Sequence, residues 1–192
     1  MSFWLYVLLL AVCIPLGLVA LTHPDGQGAV LALISSRRAL FLLSLLATGL
    51  VAGLFAGTQL GQLRVQEGLN AGEFTSFKRR FELAVGRIMP PVLILTTLSP
   101  LPLLIALRRG PRTAFVLAAA AFALWIAATA VTIVFNVPVN SQAASWDPAH
   151  PPADWEALRA SWHRGQTLRT ALTVPAFATL LLAALVDEGC TS

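Results

Sequence analysis

Two asparagines and one arginine of this sequence could stabilise a negative charge inside a membrane. Asn136 and Asn140 stand on either side of Pro138, at the end of a long apolar run. Arg169 lies at the start of the last apolar run, where an unpaired charge costs about 3 kcal/mol by insertion scales. Since proline has no N–H to donate, we expect the helix to end or kink near Asn136. The two amides would then cap free carbonyl groups, donate to a ligand bound by the arginine, or do both.

Polar and aromatic residues recur at steps of three and four before and within the last apolar run. They are Arg159, Trp162, Gln166, Arg169 and Thr173. This spacing predicts one helix that runs from the membrane interface into the hydrocarbon with a single polar stripe. Arg169 could extend to lipid headgroups, or the amides and the guanidinium could form a purely structural network. We favour a third interpretation, in which they converge on a polar-headed pocket.

The composition places these residues in an integral membrane protein. The chain has 192 residues, of which 57% are hydrophobic and 11% are charged. A soluble domain normally has about 25% charged residues. Five apolar runs approach the roughly twenty residues needed to cross the hydrocarbon. These runs are 3–22, 39–63, 88–107, 113–135 and 167–186. We therefore predict an all-α membrane protein with a single domain over residues 1–192.

Two features of the apolar runs refine this prediction. The first run has no Lys or Arg before it and no clear A-x-A site after it, so we interpret it as a retained helix rather than a cleaved signal peptide. The third run should be kinked or short, because it contains Pro90, Pro91, Pro100 and Pro102. The long connections 64–87 and 136–166 should lie on the same side of the membrane, since two crossings separate them.

The first long connection has the pattern of an amphipathic helix at the membrane interface. Its apolar positions follow steps of three and four and are Phe74, Phe77, Phe81, Val85 and Ile88. Its basic positions are Lys78, Arg79 and Arg80. We expect the apolar face to lie in the membrane and the basic residues to point towards headgroups.

The second apolar run contains a stripe of four glycines spaced by four residues. They are Gly49, Gly53, Gly57 and Gly61. Such a stripe lets another helix approach closely, because no side chain separates the two backbones. Close helix contact within the chain is the plainer interpretation, and a second copy of the chain could use the same surface. The stripe could also form one wall of a slot for a flat apolar ligand, with Gln59 and Gln62 beside it.

The sequence argues against a metal centre and against nucleic acid as a partner. His23 falls on the opposite side of the membrane from His150 and His163, and the two cysteines have no metal-ligand spacing. The formal charge of +4 fits membrane orientation and anionic headgroups better than a nucleic-acid surface. Arginine far outnumbers lysine, which is typical of a GC-rich genome, and we expect a bacterial cytoplasmic membrane.

Several motifs resemble those of the anthrone-oxygenase-like family of small membrane proteins. They are "GLFAGTQL", "QEGLN" and "MPP" in the first half, "NVPVN", and a final W, W, Q and RT pattern. The matching residues of the second half are Asn136, Pro138, Asn140, Trp162, Arg169 and Thr170. Gln166 stands where Asn is usual in the family, and Gly165 where an aromatic residue or His is common. The resemblance covers roughly residues 45–186. It implies a four-helix transmembrane core over 39–186, to which residues 3–22 add an extra N-terminal helix.

The resemblance also implies an activity, namely cofactor-independent oxygenation of a polycyclic aromatic, anthrone-like polyketide with O2 as co-substrate. Hydrogen-bond donors and a cation aimed at the enolate oxygen would stabilise its charge. The residues for this role are Asn136, Asn140, Gln166 and Arg169. Trp162 would stack on the rings, and Gln59 would bind substrate from the second run. The candidates for the proton acceptor are His163, Glu67 and His150.

Two other functions remain open from the sequence. The same pocket could serve a cyclase or isomerase that acts on a lipophilic precursor by acid–base catalysis. Alternatively, the protein could be a non-catalytic membrane scaffold or ligand-binding subunit, in which the polar residues only join helices. Transport is less favoured, because the sequence has no visible inverted repeat.

Overall fold

The computed structural model of the protein describes residues 37–189, with side chains up to Asp187. All regular elements in this range are helices, so the predicted all-α fold is confirmed there. The predicted extra helix at 3–22 lies outside the described residues.

The described helices follow one another in four long segments and one shorter connection. The first segment comprises α1 (Arg37–Gly57), a π-helical turn (Thr58–Gln62) and α2 (Leu63–Glu67). The connection is α3 (Ala71–Val85), and the second segment comprises α4 (Met89–Leu98) and α5 (Pro100–Leu107). The third comprises α6 (Arg112–Val131), a second π-helical turn (Thr132–Asn136) and α7 (Val137–Ala143), and the fourth is α8 (Trp155–Gly189). All four segments are long and apolar enough to cross a membrane.

The helix α8 packs mainly against α6 and α1. Small residues make this close contact possible, because the buried face of α6 repeats alanine at steps of three, four or seven. Its buried residues are Ala114, Ala118, Ala121, Trp125 and Ala128. Leu180 and Ala183 of α8 join the same core as Leu103 and Leu107 of α5. Near the helix ends, Arg37 donates to Asp187 at 3.0 Å.

The third apolar run is interrupted at Ser99, as its prolines predict. Pro100 has no N–H, so the carbonyl of Thr96 lacks its usual helical donor. The hydroxyl of Ser99 donates to that carbonyl at 2.9 Å, and the hydroxyl of Ser44 donates to the carbonyl of Ser99 at 3.1 Å. Side chains therefore satisfy the backbone where the prolines disturb it.

The fourth apolar run does not end near Asn136. The chain passes through the π-helical turn and continues as α7 to Ala143. The N–H of Val137 donates to the carbonyl of Thr132, five residues earlier, directly before Pro138 removes a donor. The proline therefore produces a wider turn inside a continuing helix, and the expectation of a helix end is wrong.

The connection helix α3 is amphipathic, but its faces differ from the prediction. Asn70 and Glu73 form a capping box at its start, with hydrogen bonds of 2.9 and 3.0 Å. Phe74 is fully buried inside the protein, and so is Lys78. Arg79 is exposed. The expectation that Lys78 points towards headgroups is therefore wrong, because this face of α3 packs onto other helices.

The two long connections meet at the same end of the bundle, as predicted. The ring of Phe74 lies 6.2 Å from that of Trp146 and 5.9 Å from that of Trp155. From α8, the guanidinium of Arg159 donates to the carbonyls of Gln66 at 3.1 Å and Leu69 at 3.3 Å. These contacts hold the helix ends and the connections together.

Only the first glycine of the stripe makes a close contact within the described chain. A Cβ atom added at Gly49 would lie 2.8 Å from the ring of Phe177. The same addition at Gly53, Gly57 or Gly61 meets no atom within 4 Å, and these three glycines are exposed. Close contact with the rest of the described residues, 37–189, is therefore wrong for these three positions. Use of the stripe by a second copy stays a prediction.

Gly165 allows α8 to approach the second π-helical turn. A Cβ atom added there would lie 2.5 Å from the Cβ of Phe135 and 2.7 Å from Oδ1 of Asn136. We expect Gly165→Ala to destabilise the protein by about 1–3 kcal/mol, the usual range for an overpacked site. The measurement is thermal unfolding of the detergent-solubilised protein.

Gly53→Ala is the matched control for this prediction. It adds the same methyl group to a membrane helix in open space, and alanine favours helix over glycine. We expect its Tm to equal or exceed that of the unsubstituted protein. Equal Tm values for the two variants would contradict the close approach at Gly165.

Candidate functional site

The polar stripe of α8 meets α3 and the third membrane segment in a group of interacting side chains. We call this group the Trp162 cluster, and its members are Lys78, Asn140, Trp162, Gln166 and Arg169. All except Asn140 are buried, and Asn140 is half-buried. Four of the five, namely Asn140, Trp162, Gln166 and Arg169, were predicted as site residues, and the structure brings these four together.

Asn140 links α3 and α8 through one oxygen atom. Its Oδ1 accepts a hydrogen bond from Nζ of Lys78 at 2.8 Å and another from Nε1 of Trp162 at 2.9 Å. The Lys78 nitrogen also lies 3.9 Å from the centroid of the Trp162 ring, where the face of the ring attracts a cation. The amide therefore positions both the amine and the indole.

Arg169 is only 7% exposed, so it does not extend to lipid headgroups. Its Nε donates to Oε1 of Gln166 at 2.8 Å, and its Nη2 donates to the same oxygen. The guanidinium carbon lies 4.1 Å from the ring centroid of Phe55 and 5.7 Å from that of Trp162. Two aromatic rings and one neutral amide thus surround this charge.

Gln166 connects Arg169 to the first π-helical turn. Its Nε2 donates to the carbonyl of Phe55 at 2.8 Å and to the hydroxyl of Thr170 at 3.0 Å. These donations leave Oε1 directed at Arg169. Phe55 lies in the last turn of α1, shortly before the π-helical turn. The end of α1 is thus coupled to the arginine through a single amide.

Lys78 and Arg169 have no ion-pair partner among residues 37–187. The ion pairs of this range join Arg37 to Asp187 and His150 to Asp147. Both cations lie within 6 Å of the Trp162 ring centroid, so they are close to each other. Buried charges are normally paired, and this arrangement would therefore favour a bound anion.

The pKa of Lys78 is lowered from 10.5 to about 7. Burial is the main cause, because it disfavours the ammonium form, and the positive charge of Arg169 adds to it. The carboxylate of Glu82 acts in the opposite direction. Burial in turn raises the pKa of Glu82, and the charge of Lys78 opposes that rise. Lys78 can therefore bind or release a proton near neutral pH.

Asn136 is fully buried and contacts the backbone of α8. Its Nδ2 donates to the carbonyl of Trp162 at 3.1 Å. Its Oδ1 is buried without a hydrogen-bond partner. One half of the amide therefore holds the helix that carries Trp162, and the other half remains available. Its predicted role in substrate binding stays a prediction.

The side chains of the predicted proton acceptors form no hydrogen bond with the side chains of the Trp162 cluster. The Nε2 atom of His163 is 3.0 Å from Oε1 of Gln66, and its ring meets that of Trp162 edge-on at 6.0 Å. Glu67 is exposed. His150 is exposed too, 2.7 Å from Asp147, so it does not fold back over the cluster. Of these residues, only His163 borders the cluster.

Gln59 is also separate from the cluster. It is half-buried, and its Oε1 accepts from the hydroxyl of Thr167 at 3.2 Å. No three His, Cys, Asp or Glu side chains among the described residues lie close enough to hold a metal ion.

Lys78 is the site residue that the sequence analysis missed. It was assigned to the headgroups because Arg79 and Arg80 follow it directly. A usable indication was its spacing of four residues from Phe74, which places both side chains on one face of a helix. If Phe74 packs into the protein, Lys78 must do so as well.

Neither of two concavities beside the described helices lies between the amides and the guanidinium. One holds about 10 Å³ next to Thr48 and Trp125. The other is a groove of about 520 Å³ beside α3, with Phe77 and Phe81 in its wall. Inside the Trp162 cluster the side chains contact one another directly. A planar molecule therefore needs these side chains to move before it can reach Arg169.

Replacing Lys78 by Met should change how stability depends on pH. The pKa of Lys78 is lower in the folded chain than in the unfolded chain. The unfolded chain therefore binds more protons between about pH 7 and pH 10.5, and stability rises with pH across this window. Lys78→Met keeps an apolar chain of similar size and removes this effect. We expect it to be more stable than the unsubstituted protein at pH 6, with a smaller advantage at pH 9.

Thermal unfolding at pH 6 and pH 9 measures this difference. Arg79→Met is the matched control, because Arg79 is the exposed neighbour on the same helix. Its Tm difference from the unsubstituted protein should be nearly the same at both pH values. A pH-independent effect of Lys78→Met would contradict the burial of an ionisable amine.

The comparison with known families agrees with the resemblance of the motifs. The family profile described as anthrone oxygenase matches residues 77–179, which is more than half of the chain. This range includes α3 from Phe77 onward, the "NVPVN" segment and the polar stripe of α8. No curated protein and no solved structure matches the sequence. The match includes every member of the Trp162 cluster, and the chain belongs to the anthrone oxygenase family.

Proposed function

We propose that the protein is a membrane-embedded oxygenase that tailors polycyclic aromatic natural products. Its substrate would be a flat, anthrone-like polyketide, and O2 would be the co-substrate without a further cofactor. The observation that carries the proposal is the buried pair of basic side chains, Lys78 and Arg169, beside Trp162. We place this activity in a bacterial cytoplasmic membrane.

The chemistry of anthrones explains why such a pair would be useful. Removal of a proton from the methylene carbon of an anthrone gives an electron-rich enolate, the anthrolate. The anthrolate can reduce O2 directly, and loss of water from the resulting hydroperoxide gives the quinone. The methylene carbon loses two hydrogens and gains one oxygen, so anthrone and O2 yield anthraquinone and water. The protein has to supply a base and a stabilised site for the enolate charge.

Lys78 is the base in this proposal. With a pKa of about 7, a large fraction of its amine is neutral at physiological pH, which is the condition for an efficient base. After it accepts the proton, Oδ1 of Asn140 and the face of the Trp162 ring would stabilise the ammonium. This assignment takes precedence over His163 and Glu67. His163 remains the second candidate, because it borders the Trp162 ring.

Arg169 is the group that stabilises the enolate oxygen. Gln166 holds two of its nitrogen atoms in place, so the guanidinium is oriented before a substrate arrives. A preoriented cation in a site with little water is most effective where negative charge develops in the transition state. Trp162 lies close to both basic groups, and its ring would stack on the substrate once the side chains around it have moved.

Oxygenation should depend on both cations. We expect the protein in lipid nanodiscs to convert emodin anthrone to its quinone in air, faster than the spontaneous reaction in empty nanodiscs. Lys78→Met should lower kcat by about 10²–10⁴-fold, the usual contribution of a general base. Arg169→Leu should lower it by about 10²–10³-fold, as loss of one enolate-stabilising group does. Quinone absorbance and O2 consumption measure both effects.

The controls for this assay are Arg79→Met and Arg164→Leu, which remove exposed cations from α3 and α8. Both should retain nearly full activity. No oxygen-dependent quinone above background from the unsubstituted protein would refute the oxygenase. Conversion to an isomer under argon would favour the cyclase or isomerase, since the same base could move a proton without O2.

The pH dependence of the rate separates a base from a structural residue. If Lys78 must be neutral, kcat/KM, which reports the pKa of the free enzyme, should rise with pH up to about 7 and then level off. The residual activity of Lys78→Met should lack this rise. A rise of equal size in the variant would exclude Lys78 as the base and leave His163 as the next residue to substitute.

A further inference from the structure

A groove of about 520 Å³ lies where the first membrane segment meets α3. Val65 and Leu69 form one side, and α3 supplies the other side with Ser76, Phe77, Arg80 and Phe81. Binding sites for small molecules usually enclose about 300–1,000 Å³ and are mostly apolar with a few polar groups. The groove is open to its surroundings, but its volume falls within this range and its lining is mostly apolar.

The wall formed by α3 is flat and aromatic. The rings of Phe77 and Phe81 are stacked, with centroids 6.1 Å apart and an angle of 20° between their planes. Facing them, Val65 is 60% exposed and provides an open apolar surface. Such a wall suits a planar ring system, because aromatic faces bind one another in offset stacks.

Arg80 is the charged residue of the groove that is free to bind an acidic or electron-rich occupant. Glu73 also lies in its wall, but its carboxylate is used by the capping box with Asn70. The guanidinium of Arg80 is exposed and has no hydrogen-bond or ion-pair partner within the described range. The groove therefore presents one unused cation, which complements the phenolic oxygens of a hydroxylated aromatic molecule.

The groove is separated from the Trp162 cluster by a single ring. Phe81 lines the groove, and its ring centroid lies 5.9 Å from Nζ of Lys78. Phe81 is half-buried, so its side chain belongs partly to the groove and partly to the protein interior. A change of the Phe81 rotamer would connect the groove with the amine.

We infer that this groove is where the substrate binds first, as a flat, hydroxylated aromatic molecule that arrives from the membrane interface. This inference rests on the proposed function for the identity of the ligand. The occupant stacks along Phe77 and Phe81 with its phenolic edge at Arg80. Displacement of the Phe81 side chain then brings the acidic methylene carbon of the bound molecule to Lys78.

Filling the groove tests this inference. Ser76→Trp places an indole in the groove, and Phe77→Ala removes half of the aromatic wall. The probe is emodin, a quinone that needs no oxidation, bound to the protein in nanodiscs with empty nanodiscs as the reference. We expect each variant to weaken emodin binding at least tenfold and to raise KM for emodin anthrone more than it lowers kcat. Leu83→Trp is the matched control, because Leu83 is 62% exposed on the same helix outside the groove.

The outcomes separate this inference from the proposed function. Unchanged emodin binding and KM in Ser76→Trp would overturn the groove as the first binding site, even if oxygenation is intact. Absence of specific emodin binding to the unsubstituted protein would overturn it as well. Tight emodin binding that only the groove variants lose would support the groove, even if no quinone is ever produced. Thermal unfolding tests whether each variant is folded. If Ser76→Trp does not fold, Phe77→Ala decides the question.

Discussion

The structure around the candidate site depends on a buried amine that forms no ion pair among residues 37–187. Burying an ammonium group is costly unless other groups replace water. Here the replacements are one amide oxygen of Asn140 and the face of the Trp162 ring. These groups hold Lys78 in place but carry no full negative charge. Burial therefore lowers the pKa of Lys78 to about 7. A carboxylate in the same position would give a more stable protein and an amine that never loses its proton at neutral pH.

Departures from regular helix geometry place the other groups around this amine. The turn before Pro138 widens instead of breaking, so the third membrane segment continues and carries Asn140 to the level of Trp162. Gly165 lets α8 approach that turn, where Asn136 donates to the carbonyl of Trp162 at 3.1 Å. The end of α1 is coupled to the same helix, because the carbonyl of Phe55 accepts a hydrogen bond from Gln166. Both π-helical turns therefore adjoin the helix that carries Trp162 and Arg169.

The sequence was sufficient for the parts of the structure that follow from local spacing. Apolar length predicted the four described membrane segments, and steps of three and four predicted the buried stripe of α8. The contacts of that stripe could not be predicted, because Gln166 and its acceptor Phe55 lie 111 residues apart. Lys78 was missed for a related reason. Local spacing gives the face of α3 on which it lies, but only tertiary contacts decide whether that face meets lipid headgroups or protein.

The proposed mechanism therefore depends on the ionisation of Lys78. The sequence makes this ionisation directly measurable. Lys78 is the only lysine of the chain, so lysine labelled with ¹³C at Cε gives a single side-chain NMR signal in nanodiscs. Its chemical shift should titrate with a midpoint near pH 7, and the signal should move when emodin is added. A midpoint near 10.5, the ordinary value for lysine, would show a solvated ammonium and contradict the account.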